Sequence, residues 1–122
     1  MLIKALYSGR YIIFLSVLGM LLWGLFRPTP PPQYFDDMDK YLHFFAFFIT
    51  ALATRYASPK SLAALAWTML IIAAPLLEYL QHQLQPNRTF NYWDIMANLS
   101  GVMVAFIVWP WLARILLPKP TP

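Results

Sequence analysis

The chain has no cysteine among its 122 residues, which removes thiolate catalysis, disulfide pairing and thiolate metal ligation while leaving the redox compartment undecided. Charge is nearly as scarce. Asp, Glu, Lys and Arg make up 11% of the residues, against about 25% in ordinary soluble domains. Hydrophobic residues make up 60% and aromatic residues 17%. Four stretches carry no formal charge, Tyr11–Phe26, Tyr41–Thr54, Ser61–Leu77 and Ile95–Ala113, and together they cover more than half the chain. At about 1.5 Å rise per residue, roughly 20 residues cross the ~30 Å hydrocarbon layer, and each stretch reaches that length once its polar ends are added. The fold class expected is therefore all-α: a polytopic membrane protein with four transmembrane helices over about 6–26, 39–57, 61–83 and 92–117. Too little remains outside them for a soluble domain, a Rossmann unit or a nucleic-acid module, so residues 1–122 read as a single membrane domain.

The formal charge of +4 arises from nine basic and five acidic residues. The basic residues are scattered near segment ends instead of forming a stripe, a pattern of topology determinants and not of a nucleic-acid footprint. Lys4 and Arg10 precede the first apolar run, but Trp23, Gly24, Leu25 and Phe26 offer no small-x-small cleavage site, so an uncleaved first helix is expected. Residues 28–38 form a proline-rich connection whose Pro28-Thr29-Pro30-Pro31-Pro32 stretch cannot sustain a helix, and it reads as an extended spacer.

Lys4, Arg10, Arg55, Lys60, Arg114 and Lys119 fall on one side of the four-span topology, and Arg27, Lys40 and Arg88 on the other. The positive-inside rule then puts both termini in the cytoplasm. All five carboxylates, Asp36, Asp37, Asp39, Glu78 and Asp94, belong to the outward half. Acidic residues contribute little to orientation, so this segregation has a separate cause.

Helical spacing gathers these residues further. Asp39 and His43 are four apart and share a face at the outer end of the second helix, beside Lys40. Glu78 and Gln81 are three apart in the third helix, with His82 and Gln85 continuing outward. Asp94, Asn98 and Gly101 recur at four and three along the fourth. The Pro86-Asn87-Arg88 turn can hold the Arg88 guanidinium above them, paired bidentately with Glu78 or Asp94, while Asn98 and Gln81 hold the carboxylates. Gly101 allows close approach of a neighbouring helix, and Pro75 bends the third helix just before the polar residues. The expected product is one outward-facing polar cluster.

The ordered series Asp39-Lys40-x-x-His43, Glu78-x-x-Gln81, then Arg88 followed by Asp94-x-x-x-Asn98-x-x-Gly101 resembles the VanZ-like family of small bacterial membrane proteins. The resemblance covers the second to fourth helices. Ala105 stands where many members have another glycine, Asn91 where serine is frequent, and His82 and the proline-rich loop lie outside the pattern. The family is named after an accessory determinant of resistance to the glycopeptide teicoplanin. It implies a multi-pass protein of the bacterial cytoplasmic membrane and no established reaction.

Ionisable residues within membrane segments are functional candidates by default, because an Asp at a helix centre costs about 2.5–3.5 kcal/mol. The expected role is binding a polar headgroup at the outer interface, on a membrane lipid, a lipid-linked envelope precursor or a glycopeptide. Arg88 and Lys40 would take the anionic group, and Asp39, His43, Glu78, Gln81, Asp94 and Asn98 complete the site. Two alternatives stand beside it. The cluster is interhelical glue in a protein that assembles with a membrane partner, or His43 is a general acid or base oriented by Asp39, with Glu78 as a second acid-base group. No Gly-x-Ser-x-Gly or His-Glu-x-x-His sequence is present. The inward half offers no ionisable relay for a transporter. Spacing alone shows no convergence of His43, Asp39, Glu78 and Asp94 within ligand distance, so no metal and no cofactor is expected. The Phe44, Phe45, Phe47 and Phe48 run reads as packing, and Trp and Tyr near segment ends as interfacial anchors.

Overall fold

A computed structural model describes residues 1–119, and among them every regular element is a helix: α1 (Leu2–Ser8), α2 (Arg10–Phe26), α3 (Met38–Ala57), α4 (Ala63–Leu84) and α5 (Tyr92–Leu116), with a single 3-10 turn, Lys60–Leu62, leading into α4. Each long helix stops one residue before a proline. Arg27, Ser58, Gln85 and Leu117 are extended, with ψ of 146°, 135°, 92° and 139°, and Pro28, Pro59, Pro86 and Pro118 follow them. Proline Cδ disfavours the α conformation in the preceding residue, so these four dipeptides set the ends. The starts are set differently. Asp37 enters the left-handed region (φ 59°) just before α3, a conformation that aspartate tolerates better than most residues. Asn91 caps α5 by accepting from the Trp93 backbone N–H at 2.9 Å.

The expected first helix over 6–26 is replaced by two. Its chain is helical from Leu2 but bends by 59° at Gly9, between α1 and α2. The other three helices lie within a few residues of expectation, and α4 and α5 run on through Pro75 and Pro110.

Two helical stretches, Lys60–Leu84 and Tyr92–Leu116, are long and apolar enough to cross a membrane, and the bent α1–α2 pair makes a third if taken as one span. The distribution of side chains is that of a membrane protein. Ile12, Leu15 and Met20 of α2, Ile71 and Ile72 of α4, and Met103, Phe106 and Ile107 of α5 are exposed, while His43, Thr50, Arg55, Glu78, Gln81, Asp94 and Asn98 are buried. A bundle apolar outside and polar within suits a hydrocarbon solvent.

The core joins Leu21 and Leu25 of α2, Phe47 and Ala51 of α3, Leu70 and Ala74 of α4, and Val102 and Ala105 of α5. Three of these, Ala51, Ala74 and Ala105, are fully buried alanines, the small residues that let helices approach where no water drives them together. The closest approach is α3 on α5. A Cβ built on Gly101 would collide with the Phe44 carbonyl oxygen and would lie 2.9 Å from the Phe48 backbone nitrogen. Lower in the same pair, the Arg55 guanidinium lies 5.1 Å from the Trp109 ring centroid. The two helices therefore run parallel, with α4 antiparallel between its contacts to both. This order brings the C-terminal ends of α2 and α4 and the N-terminal ends of α3 and α5 to one end of the bundle, and all five carboxylates with them. Trp67 of α4 meets Phe106 of α5 edge-on at 5.1 Å, and Phe47 is buried while Phe45 is exposed, as packing roles for these aromatics require.

Candidate functional site

At that end a cavity of about 560 Å³ opens among α2, α3, α4 and the two connecting loops. Six of the eight expected site residues line it: Asp39, His43, Glu78, Gln81, Arg88 and Asp94. Two do not. Lys40 turns aside to Asp37 and Asp39, at 3.3 and 3.4 Å. Asn98 is wholly buried behind His43.

The centre of the site is a chain of polar contacts between three helices. The Asn98 amide nitrogen donates to the Ala74 carbonyl of α4 at 3.3 Å, so its amide oxygen is the atom facing His43 Nδ1, 2.9 Å away. An amide oxygen only accepts, and this assigns the proton to Nδ1. With Nδ1 turned to Asn98, Nε2 is the ring nitrogen that faces Asp94, whose Oδ2 is 3.8 Å away. Glu78 completes the group. His43, Glu78 and Asp94 each bring one ligand-type atom to within 4.8 Å of the others. Spacing alone did not show these three groups at ligand distance; residues separated by 35 and 16 positions meet because α3, α4 and α5 place them at one depth.

Several pairings differ from expectation. Asp39 does not orient His43; helix spacing puts them on one face, but Lys40 claims the Asp39 carboxylate and Asn98 claims the imidazole. Arg88 has no carboxylate within 4.0 Å among the described residues, so the expected bidentate pair with Glu78 or Asp94 is absent there. Its loop is held instead through the backbone, with His82 Nδ1 2.9 Å from the Arg88 carbonyl oxygen. The guanidinium is left as a half-buried cation on the cavity wall. Neither amide holds a carboxylate. Gln81 donates to the Leu25 carbonyl at 2.6 Å, and Gln85 to the Arg27 carbonyl at 2.6 Å, so the end of α4 grips the end of α2.

Gln81→Leu is accordingly expected to lower stability by about 0.6–1.7 kcal/mol, the span measured for hydrogen bonds between membrane helices. Reversible unfolding of the micelle-bound protein checks this. A loss near zero means that α2 is held by apolar contacts alone.

The cavity also has walls that spacing did not reveal. Pro30, Pro31 and Pro32 line it, so the proline-rich connection is part of the site and not only a spacer. Arg27 lines it too, beside the Trp23 ring at 5.3 Å. Asn91 gives a backbone N–H to Glu78 Oε1 at 3.4 Å while its side chain caps α5. A capping residue between Arg88 and Asp94 was the available signal for that last role. The apolar part of the lining comes from Met20, Leu21, Leu25, Leu42, Ala46 and Phe47.

No protein-family model, curated protein or solved structure matches this chain.

Proposed function

We propose that the chain is a four-span protein of the bacterial cytoplasmic membrane, VanZ-like in kind, with both termini in the cytoplasm. Its cavity then opens at the extracytoplasmic end and receives the anionic headgroup of an amphiphile, a membrane lipid or a lipid-linked envelope precursor. The observation that carries this reading is the mixed lining of the cavity, cationic and apolar together. Arg88 and Arg27 line it without a carboxylate partner within 4.0 Å among the described residues, together with apolar residues of α2 and α3. A guanidinium takes phosphate or carboxylate through paired N–H bonds, and an acyl chain leaves along the apolar residues.

The orientation is supported by the basic residues. Lys4, Arg10, Arg55, Lys60, Arg114 and Lys119 belong to the end of the bundle away from the cavity. α3, the second span, is the most polar of the long helices; its His43 meets Asn98 of α5, and its charged Asp39, Lys40 and Arg55 lie toward its ends. A part in tolerance of glycopeptides such as teicoplanin follows from the family resemblance, through the surface chemistry that such agents meet. The glue reading keeps a specific place: it describes Gln81 and Asn98, whose amides go to helix carbonyls.

The test is mass spectrometry of lipids that stay with the protein through purification in mild detergent. One anionic headgroup class is expected to be enriched on the parent protein and to fall about tenfold in Arg88→Ala, equivalent to ~1.4 kcal/mol. Identical lipid profiles for parent and variant, at equal folded yield, would falsify the reading.

A further inference from the structure

We propose that His43, Glu78 and Asp94 bind one divalent first-row transition-metal ion, with Zn²⁺ the ion their donor set suits. The inference goes beyond the headgroup reading and does not need it.

The geometry supplies three donors from three different helices, an imidazole nitrogen and two carboxylate oxygens, mutually within 4.8 Å. Ligand atoms about 2.1 Å from a tetrahedral ion stand about 3.4 Å apart. The 3.8 Å between His43 Nε2 and Asp94 Oδ2 is close to this, and side-chain rotation by about 1 Å brings in the rest.

Two further observations point to a cation and not to a self-sufficient hydrogen-bonded cluster. Glu78 is 3% exposed, yet its Oε2 has no hydrogen-bond partner among the described residues; Asp94 Oδ1 is likewise buried and unpartnered. Both carboxylates line the cavity. Buried polar atoms are nearly always satisfied, and a metal is one of the groups that satisfies them. The second observation is the support behind the histidine. Metal-binding imidazoles characteristically donate their other N–H to an oxygen, which fixes the tautomer and the ring plane. His43 Nδ1–H donates in this way to Asn98 Oδ1, and Asn98 is itself locked by donating to the Ala74 carbonyl. That lock aims Nε2 at two acids.

Two carboxylates balance a divalent charge, and an imidazole favours zinc, iron, nickel or copper over magnesium or calcium. Three protein ligands leave the fourth position of a tetrahedral ion to the cavity. Arg88 lines the same space, so an anion drawn there by the guanidinium would also meet the metal.

The experiment uses the full chain in detergent micelles, stripped with a chelator and titrated calorimetrically with ZnCl₂ alone. One equivalent per chain is expected to bind, more tightly than Mg²⁺ by at least a hundredfold. Glu78→Gln and Asp94→Asn, each of unchanged shape, are each expected to weaken it at least tenfold, and Asp36→Asn, on the exposed loop, to leave it unchanged. No stoichiometric uptake by the parent protein, or uptake indifferent to both isosteric variants, overturns the proposal. X-ray absorption of the zinc-loaded parent needs no variant to fold: one imidazole in a shell otherwise of oxygen supports the site, and a shell without imidazole rules it out.

Discussion

Gly101→Ala is expected to destabilise the bundle by about 1–3 kcal/mol, the usual cost of overpacking a tight interior, and Gly101→Leu to prevent the folded protein from accumulating. The reason lies in what the new atom meets. A Cβ at this position runs into the Phe44 carbonyl oxygen, and the Phe48 amide nitrogen is 2.9 Å away. Both are backbone atoms of α3, which cannot swing aside as a side chain can; the helix itself must back away. If α3 recedes, the same movement separates His43 from Asn98, one turn along the interface. Gly19→Ala is the matched control, because nothing lies within 4 Å of a Cβ there, and removing a helical glycine alone gains a few tenths to about 1 kcal/mol. Thermal unfolding of the three variants in one detergent checks the contrast. Equal behaviour of the alanine variants at 101 and 19 would show that α3 and α5 are not so close in the membrane.

That glycine was legible from spacing alone, as were the extents of α3, α4 and α5, because long uncharged runs bounded by charged or proline residues leave few alternatives. The bend at Gly9 was not. An apolar run reads the same whether its helix is straight or broken, and α1 has no buried residue to announce its separate direction. The four X-Pro dipeptides that end the long helices were present in the sequence and would have placed those ends more sharply than hydropathy did.

The candidate site shows a similar division. Helical periodicity assigned Asp39, His43, Glu78, Asp94 and Asn98 to faces, and most of those faces do meet. Periodicity does not say which partner each group takes once the helices are together. Asp39 and His43 stack on one helix face, yet His43 is held from α5 and Asp39 by its neighbour Lys40. Arg88 is near acids in sequence and in space, but its loop is fixed through a backbone carbonyl, which no side-chain pattern records. The cavity walls contributed by Pro30, Pro31 and Pro32 depend on how a non-helical segment folds back, which composition leaves open.

Asn98→Leu is expected to be the most damaging change of similar shape at the site, costing about 1–3 kcal/mol. Asn98 is fully buried and makes two interhelical contacts, to His43 and to Ala74. Losing the contact to Ala74 costs little, since that carbonyl keeps its helical partner. Losing the contact to His43 costs more: the Nδ1–H of a residue only 6% exposed is left without an acceptor, at about 1–3 kcal/mol. This asymmetry gives the prediction its specific form. His43→Leu alone strands the Asn98 amide oxygen in turn, whereas the double variant His43→Leu/Asn98→Leu removes both partners together. Replacing both members of a buried hydrogen bond by apolar groups approaches neutrality, so the double variant should be more stable than the sum of the single losses implies, by about 1 kcal/mol or more. Unfolding free energies of the four proteins in the same micelles measure this coupling. Strict additivity would mean that the two side chains act separately, and the histidine would then have no fixed tautomer with which to face Glu78 and Asp94.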